Sequence, residues 1–176
     1  LRASAGLVGN NQQNGRYLYD ESYGYTGEYI FGTGSSSTGG YGLSTPNPEL
    51  TWERQTIYNV GLEARLFGSL GITADLFSQT RSGIVDRAYA KTPGLTGAAY
   101  GDILPYINVG TVKNSGFELS AEWIQRISDD FDWNIRAGAW YARNEVIDMG
   151  ESTKLYDYQY QKGHPVGTPF ALESVG

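Results

Sequence analysis

The sequence predicts an all-β chain, an antiparallel transmembrane β-barrel segment contributing about six strands to a larger barrel. Three observations support this prediction. The 176 residues include 14 Tyr, 4 Trp and 6 Phe together with 24 Gly, and this composition suits strands and glycine-rich turns better than helices. Apolar and polar residues alternate over segments longer than most globular strands. Short and long links between the segments also alternate, as they do in outer-membrane barrels.

The alternation predicts six strands, near residues 1–9, 53–67, 70–81, 109–126, 131–146 and 166–175. In the second strand, Val60 and Leu62 share an apolar face, whereas Asn59 and Glu63 share a polar face. The links are short at 68–69 and around 128–130, and long at 10–51, 82–108 and 145–165. All short turns therefore lie at one end of the strands, and the long links are predicted to be extracellular loops.

Aromatic residues mark both ends of the apolar face. Trp123 and Trp133 lie near the short turn, and we expect them to pair across their two strands. The distance from Trp133 to Tyr141 is roughly 26 Å along the strand. Because strands of membrane barrels are tilted, this corresponds to about 20 Å along the membrane normal. This approaches the apolar band of about 25 Å that membrane barrels present to lipid. We therefore predict that Tyr58, Trp123, Trp133 and Tyr141 form membrane girdles; a soluble β-sandwich with these aromatics in its core is the alternative.

Catalytic chemistry is not predicted. The chain has one His and no Cys, so no enzyme activity, catalytic residue, metal site or cofactor is expected. The aspartates at 129–132 lack the spacing of a calcium loop, and His164 is expected to have a structural or solvated role. The net charge of −6 with scattered basic residues argues against a nucleic-acid partner.

Several segments resemble one family of transporters. NPELTWE at 47–53 and NVGL at 59–62 resemble the NPxLxWE…NxGLD stretch of SusC/RagA-like TonB-dependent outer-membrane transporters. NVG at 108–110 and NSGFEL at 114–119 resemble that family's NxGxxxNxGxE segment. The same order continues in FDWN at 131–134, RNEV at 143–146 and GHPVG at 163–167. Order and spacing agree along nearly the whole chain, apart from 10–46 and 86–106.

The resemblance implies the C-terminal part of a plugged barrel of about 22 strands. It also implies import of oligosaccharides or peptides across the outer membrane of a Gram-negative, Bacteroidetes-type bacterium. The implied partners are a SusD-like surface lipoprotein and the TonB complex, which would act through an N-terminal region; the plug, TonB box and signal peptide are not among these residues. A passive outer-membrane channel or other barrel, and a secreted all-β carbohydrate-binding or adhesin module, remain alternatives.

Two sets of residues are candidates for contact with solute or partner. The first set lies on the polar face, which is predicted to line the lumen. These residues either bind solute or simply solvate a polar lumen and contact the plug. They are Glu63, Arg65, Asp75, Glu118, Glu122 and Arg136. The second lies in loop 10–51, which carries six tyrosines and eight glycines. There we predict that Tyr23, Tyr25 and Tyr29 contact substrate or the lipoprotein, because tyrosine offers a rigid ring with a polar tip. Simple packing of the loop is the alternative.

Overall fold

The computed structural model describes residues 1–11, 17–29, 38–91 and 104–171, with the backbone alone over Ser22–Tyr29 and Thr38–Ser44. It contains seven strands in these regions: β1 Arg2–Asn10, β2 Ser22–Tyr29, β3 Thr38–Ser44, β4 Glu53–Leu66, β5 Leu70–Arg87, β6 Tyr106–Ser128 and β7 Phe131–Asp148. Short 3-10 turns occupy Tyr89–Lys91 and Asp157–Gln159. The predicted all-β architecture is confirmed. No helix in the described regions is long and apolar enough to span a membrane.

Five strands form one antiparallel sheet in the order β1-β4-β5-β6-β7, and β2 and β3 form a separate hairpin. The turns at 67–69 and 129–130 lie at one end of this sheet, and the longer links lie at the other. The hairpin falls within the link expected to be an irregular loop. Alternation did not indicate it because its strands, SYGYTGEY and TGGYGLS, interleave Tyr with Gly and polar residues and have no continuous apolar row.

Two strands are longer than expected at the end of the sheet where the long links lie. β5 continues to Arg87 and β6 begins at Tyr106, so strands occupy both ends of the predicted loop 82–108. The register shifts between Ser82 and Ile84 around Gly83, whose φ is +67°. Such a bulge adds one residue to a strand and reverses its alternation, so a period of two no longer identifies the strand beyond this point.

The segment predicted to be a strand at 166–175 differs from expectation. Its described part, 166–171, is not a strand; residues 172–175 lie outside the described residues. The chain instead returns to the free edge of β7 slightly earlier. The Val146 N–H donates to the His164 carbonyl at 2.9 Å, and the Gly163 N–H donates to the Val146 carbonyl at 2.8 Å.

Register sorts the side chains into rows, each formed by residues directly paired across neighbouring strands. One row is Val60, Leu76, Phe117 and Tyr141, and the next is Gly61, Asp75, Glu118 and Trp140. Apolar and polar rows therefore alternate over β4 to β7, giving an apolar face and a polar face.

The expected pairing of the two tryptophans is wrong by two residues. Trp123 pairs with Ile135, and Trp133 pairs with Gln125. The cause is the length of β6. This strand continues to Ser128, so the turn before β7 begins later in the sequence and the pairing of the two strands shifts by two residues. A shift by two keeps each side chain on its face, so both rings still lie on the apolar face, with centroids 5.6 Å apart.

The apolar face has no covering layer among the described residues. Leu76 is 60% exposed and Leu119 is 44% exposed, and the buried hydrophobic residues in the described regions are Ala88, Leu104 and Val146, all near the long links. A soluble sandwich buries such a face against a second sheet. The uncovered face therefore argues against the sandwich alternative.

Candidate functional site

The polar face carries all six predicted lumen residues in three consecutive rows. These rows contain Asp75 and Glu118, then Glu63, then Arg65, Glu122 and Arg136. Strand parity brings them together because every second residue of a strand points to the same side. The six residues form one charged surface across four strands.

Arg2 joins this surface and was not among the candidates. Its guanidinium reaches across β4 to Asp75, with Nη2–Oδ2 at 2.6 Å and Nε–Oδ1 at 3.2 Å, and its Nη1 lies 2.6 Å from Glu63 Oε1. Gly61 makes this route possible, because a Cβ there would collide with both Arg2 and Asp75. The parity of β1, in which Ala3 and Ala5 take the other face, is the signal that could have identified Arg2.

A second ion pair lies nearer the short turns. Arg136 Nη2 donates to Glu122 Oε1 at 2.6 Å, and Asn134 Nδ2 donates to the same oxygen at 3.1 Å. Arg136 and Glu122 are direct register partners, with Arg65 in the same row beyond Gly71. Opposite charges thus fix the side chains on this part of the face.

Glu118 differs from the other acidic residues in this group. Within the described regions it has no ion-pair partner, and it lies beside Trp140, which is 80% exposed. An open cleft of about 460 Å³ runs over this position, and its polar and aromatic lining is Thr73, Asp75, Glu118, Ser120 and Trp140. An exposed indole beside a free carboxylate can stack on a sugar or peptide and can attract a cationic group.

Trp140 and Phe77 are the two aromatic residues out of phase with the alternation of their strands. The ring of Phe77 lies over Gly116, where a Cβ would come within 2.8 Å of it, and Phe77 is half-buried. Trp140 has no such cover. The sequence marks both as exceptions, but the structure separates a packed ring from one available to a ligand.

The four girdle candidates lie on the apolar face. Trp123 and Trp133 contact each other near the short turns, whereas Tyr141 stacks on its register partner Phe117 with centroids 6.1 Å apart. Tyr58 lies one row further toward the long links, paired with Ser78. The aromatic residues therefore occupy two levels separated by aliphatic rows.

Motif residues fasten the long links to the sheet. Asn108 Nδ2 donates to the carbonyls of Thr51 at 2.7 Å and Gly83 at 2.8 Å, and its Oδ1 accepts from the Thr51 N–H at 2.8 Å. Asn47 Nδ2 donates to the Tyr106 carbonyl at 2.6 Å. The carboxylate of Glu53, a buried residue, accepts from Asn10 Nδ2 at 3.2 Å. These bonds give the loops a fixed base.

The link after β7 is held by its own hydrogen bonds. Both carboxylate oxygens of Glu151 accept from the Gln161 N–H, and one of them also accepts from the Lys162 N–H at 3.2 Å. The Tyr160 hydroxyl accepts from the Lys154 N–H at 3.0 Å. Asn144 Oδ1 accepts from the Val166 N–H at 2.7 Å. The segment is thereby tied both to itself and to β7.

This link presents a flat aromatic surface. Tyr156 and Tyr158 stack with centroids 5.5 Å apart and planes inclined by 12°. Each ring residue is 54% exposed, and Leu155 beside them is 82% exposed. We name Leu155, Tyr156 and Tyr158 the tyrosine shelf. Sequence reasoning missed it, although three tyrosines at alternate positions in 156–160 are a visible signal.

The predicted loop tyrosines lie in β2. Tyr23 pairs with Leu43, Tyr25 with Tyr41 and Tyr29 with Thr38, with a register shift between Tyr25 and Glu28. Their side chains lie outside the description, so their contact with substrate or partner stays a prediction. The rings of His164 and Phe170 are nearly perpendicular, with centroids 5.3 Å apart. No group of residues suited to a metal ion occurs in the described regions.

The model of the TonB dependent receptor-like β-barrel family matches residues 1–171 of this chain. The chain belongs to this family. The predicted resemblance to TonB-dependent transporters is thereby confirmed, and so is the assignment as a segment of an outer-membrane β-barrel. The family consists of transporters rather than enzymes. Membrane barrels present an apolar face to lipid and a polar face to the lumen, and the orientation of the girdle and lumen candidates in this segment of a TonB-dependent receptor barrel stays a prediction.

Two curated relatives are TonB-dependent receptors of Formosa agariphila. Receptor P26 is 28% identical over 107 residues, which cover 59% of this chain and 10% of the relative. Receptor P39 is 24% identical over 183 residues, covering 100% of this chain and 16% of the relative. The chain therefore spans a small part of the length of these receptors.

Solved structures of the RagAB peptide importer have the same fold. The closed-closed state matches with a TM-score of 0.64 and 25% identity, covering 93% of this chain and 17% of the RagAB chain. The open-open state matches with a TM-score of 0.63 and 27% identity, covering 84% and 15%. The RagAB similarity supports the outer-membrane barrel fold of this TonB-dependent receptor segment.

Proposed function

We propose that this chain forms part of the wall of an outer-membrane active transporter that imports bulky nutrients, either oligosaccharides or peptides. The observation that carries the proposal is one sheet with two unlike faces, an apolar face bounded by aromatic girdles and a polar face lined with ion pairs. A wall between lipid and an aqueous lumen needs this arrangement. Energy would come from the TonB complex through regions outside this chain.

The lumen side supports passage of a large polar solute. Most of its charged side chains pair with each other, as Arg2 does with Asp75 and Arg136 does with Glu122. Because these charges are already paired, they should not bind a solute ion strongly. Glu118 and Trp140 are the groups left available in the cleft. A peptide suits this pair because its ammonium or guanidinium groups pair with a carboxylate and stack on an indole; a sugar ring suits Trp140 alone.

The extracellular side supports a protein partner, which we propose to be a SusD-like surface lipoprotein. The tyrosine shelf offers exposed rings on a segment that Glu151 and Asn144 hold in place. Rigid aromatic residues dominate many protein interfaces because they bury large areas at low entropic cost. The similarity to RagAB, which is described as a peptide importer, agrees with this partnership and favours peptides among the substrates.

Uptake by cells that express the full-length receptor tests this function. We expect accumulation of labelled peptides or oligosaccharides to require both the proton gradient and TonB. Trp140→Ala and Glu118→Gln should lower uptake, whereas Trp52→Ala, at an exposed tryptophan next to Gly9 at the edge of the apolar face, should not. Uptake that persists after the gradient is collapsed would establish a passive channel instead.

A further inference from the structure

The apolar face changes character directly above its upper aromatic row. The first row above Val60, Leu76, Phe117 and Tyr141 consists of Tyr58, Ser78, Ser115 and Arg143, and the next consists of Thr56, Thr80, Lys113 and Glu145. Two cations thus lie among hydroxyl groups just beyond the aliphatic band. We call Ser78, Thr80, Lys113, Ser115 and Arg143 the outer cationic patch.

These residues share the lipid-facing side with the girdle. In β6 the register is continuous from Val112 through Arg126, so Lys113, Ser115 and Phe117 point to one side. In β7 Tyr141 and Arg143 likewise lie two residues apart with no intervening shift. The patch therefore continues the lipid-facing surface toward the extracellular side, at the level where headgroups meet the barrel.

The cations of the patch have no internal counter-ion. Lys113 and Arg143 are exposed, and over the residues that the structure describes the side chain of neither forms an ion pair or hydrogen bond. This holds even though Glu145 is the register partner of Lys113. Arg2 and Arg136 on the lumen face are both paired. Unpaired cations beside a hydrocarbon layer are costly unless an anion at the interface neutralises them.

We propose that the outer cationic patch binds the phosphate groups of a phosphorylated glycolipid in the outer leaflet. The guanidinium of Arg143 suits two phosphate oxygens, and the ammonium of Lys113 acts as a nearby point charge. The two residues are diagonal neighbours, with Cβ atoms about 7–8 Å apart in such a position, so one phosphate can lie between them. Hydroxyl groups of Ser78, Thr80 and Ser115 offer additional donors. The inference rests on the membrane orientation used in the proposed function, but not on transport.

Lipid binding by the full-length receptor in nanodiscs tests this site. The probe is lipid A that carries both phosphates, compared with its dephosphorylated form in a zwitterionic bilayer. We expect the double variant Lys113→Gln/Arg143→Gln to bind phosphorylated lipid A at least fivefold more weakly and the dephosphorylated form unchanged. Glu145→Gln should bind the phosphorylated form more tightly, because it removes the repelling charge.

Arg81→Gln is the matched control. Arg81 pairs with Val112 at the height of the patch but on the lumen face, so its loss should leave lipid binding unchanged. Equal binding by the double variant, a loss independent of phosphate, or an equal loss in Arg81→Gln would each overturn the proposal. If the double variant does not fold, the opposite effects of Lys113→Gln and Glu145→Gln carry the test.

A fluorescent label on Ser115→Cys checks the orientation separately. Quenching by lipid-borne quenchers is expected, and quenching only by aqueous quenchers would overturn the lipid site. Uptake measured on the same variants separates the two hypotheses. Normal uptake by variants that lose phosphate-dependent lipid binding would show that transport does not depend on the lipid site. Intact lipid binding by a wild-type receptor that fails to take up nutrients would contradict the transport function and leave the lipid site supported.

Discussion

Arg2 and Asp75 form a bidentate ion pair across the strand that separates them. Two of their contacts, at 2.6 Å and 3.2 Å, join β1 to β5 over the backbone of β4. Glycine at position 61 leaves the space for this crossing. The charged surface of the sheet therefore depends on a residue without a side chain as much as on the charged groups.

Substitution of Gly61 tests this dependence. Gly61→Ala places a Cβ against both Arg2 and Asp75, and overpacking of this kind costs about 1–3 kcal/mol of stability. Gly6→Ala is the control, because Gly6 has open space around it. Folding titrations of the full receptor in lipid measure the difference. Equal stability of the two variants would show that the ion pair moves aside at no cost.

The depth of the apolar face can be tested with arginine. Leu119 lies in a row between the tryptophan pair and the upper aromatic row, whereas Val60 lies in the upper row itself. Leu119→Arg should cost about 2–4 kcal/mol near the bilayer midplane, and Val60→Arg about 0–1 kcal/mol near the interface. Ser120→Arg, on the lumen face, should be milder than Leu119→Arg. Titrations in lipid that give the reverse order would show that the faces are assigned wrongly.

The base of the long links depends on Asn108. Asn108→Ala removes four side-chain hydrogen bonds, three to Thr51 and one to Gly83. At about 0.5–1.5 kcal/mol each, the loss should destabilise the loop base by about 2 kcal/mol or more. Asn114→Ala is the control, because within the described regions Asn114 has no such bonds. Faster trypsin cleavage of loops on intact cells should occur only in the first variant. Equal cleavage rates would remove Asn108 from this role.

The regular strands could be predicted from the sequence because each has one apolar face and one polar face. Leu119 and Glu118 are adjacent in the sequence, but their side chains lie on opposite faces of the sheet. Taking every second residue of each strand is therefore enough to group the lumen candidates on one face. The pattern ends where geometry breaks the period. The bulge at Gly83 interrupts the alternation, so the end of β5 could not be located from it. The extra residues of β6 before Asp129 shift the pairing of Trp123 and Trp133 by two residues.

Parts of the candidate site could not be predicted for a different physical reason. Arg2 acts through Asp75, which is 73 residues away, and the need for Gly61 appears only when three strands are placed side by side. The tyrosine shelf depends on hydrogen bonds from Glu151 that hold an irregular link. Irregular segments have no periodic pattern from which a shape can be inferred.

The last prediction compares two tyrosine groups in the long links. The double variant Tyr156→Ala/Tyr158→Ala removes the exposed stack, and the triple variant Tyr23→Ala/Tyr25→Ala/Tyr29→Ala removes the tyrosines of β2. If a group is central to a partner interface, its removal should weaken co-purification of the lipoprotein about tenfold or more, since buried tyrosines at interfaces contribute about 2 kcal/mol or more. We expect this for the shelf, whose rings are exposed on a fixed segment. Tyr89→Ala, equally exposed on another link, is the control.

Wild-type co-purification and uptake in both multiple variants would assign these tyrosines to packing alone. A loss of uptake with normal co-purification would instead indicate contact with the nutrient, because the partner would still be bound.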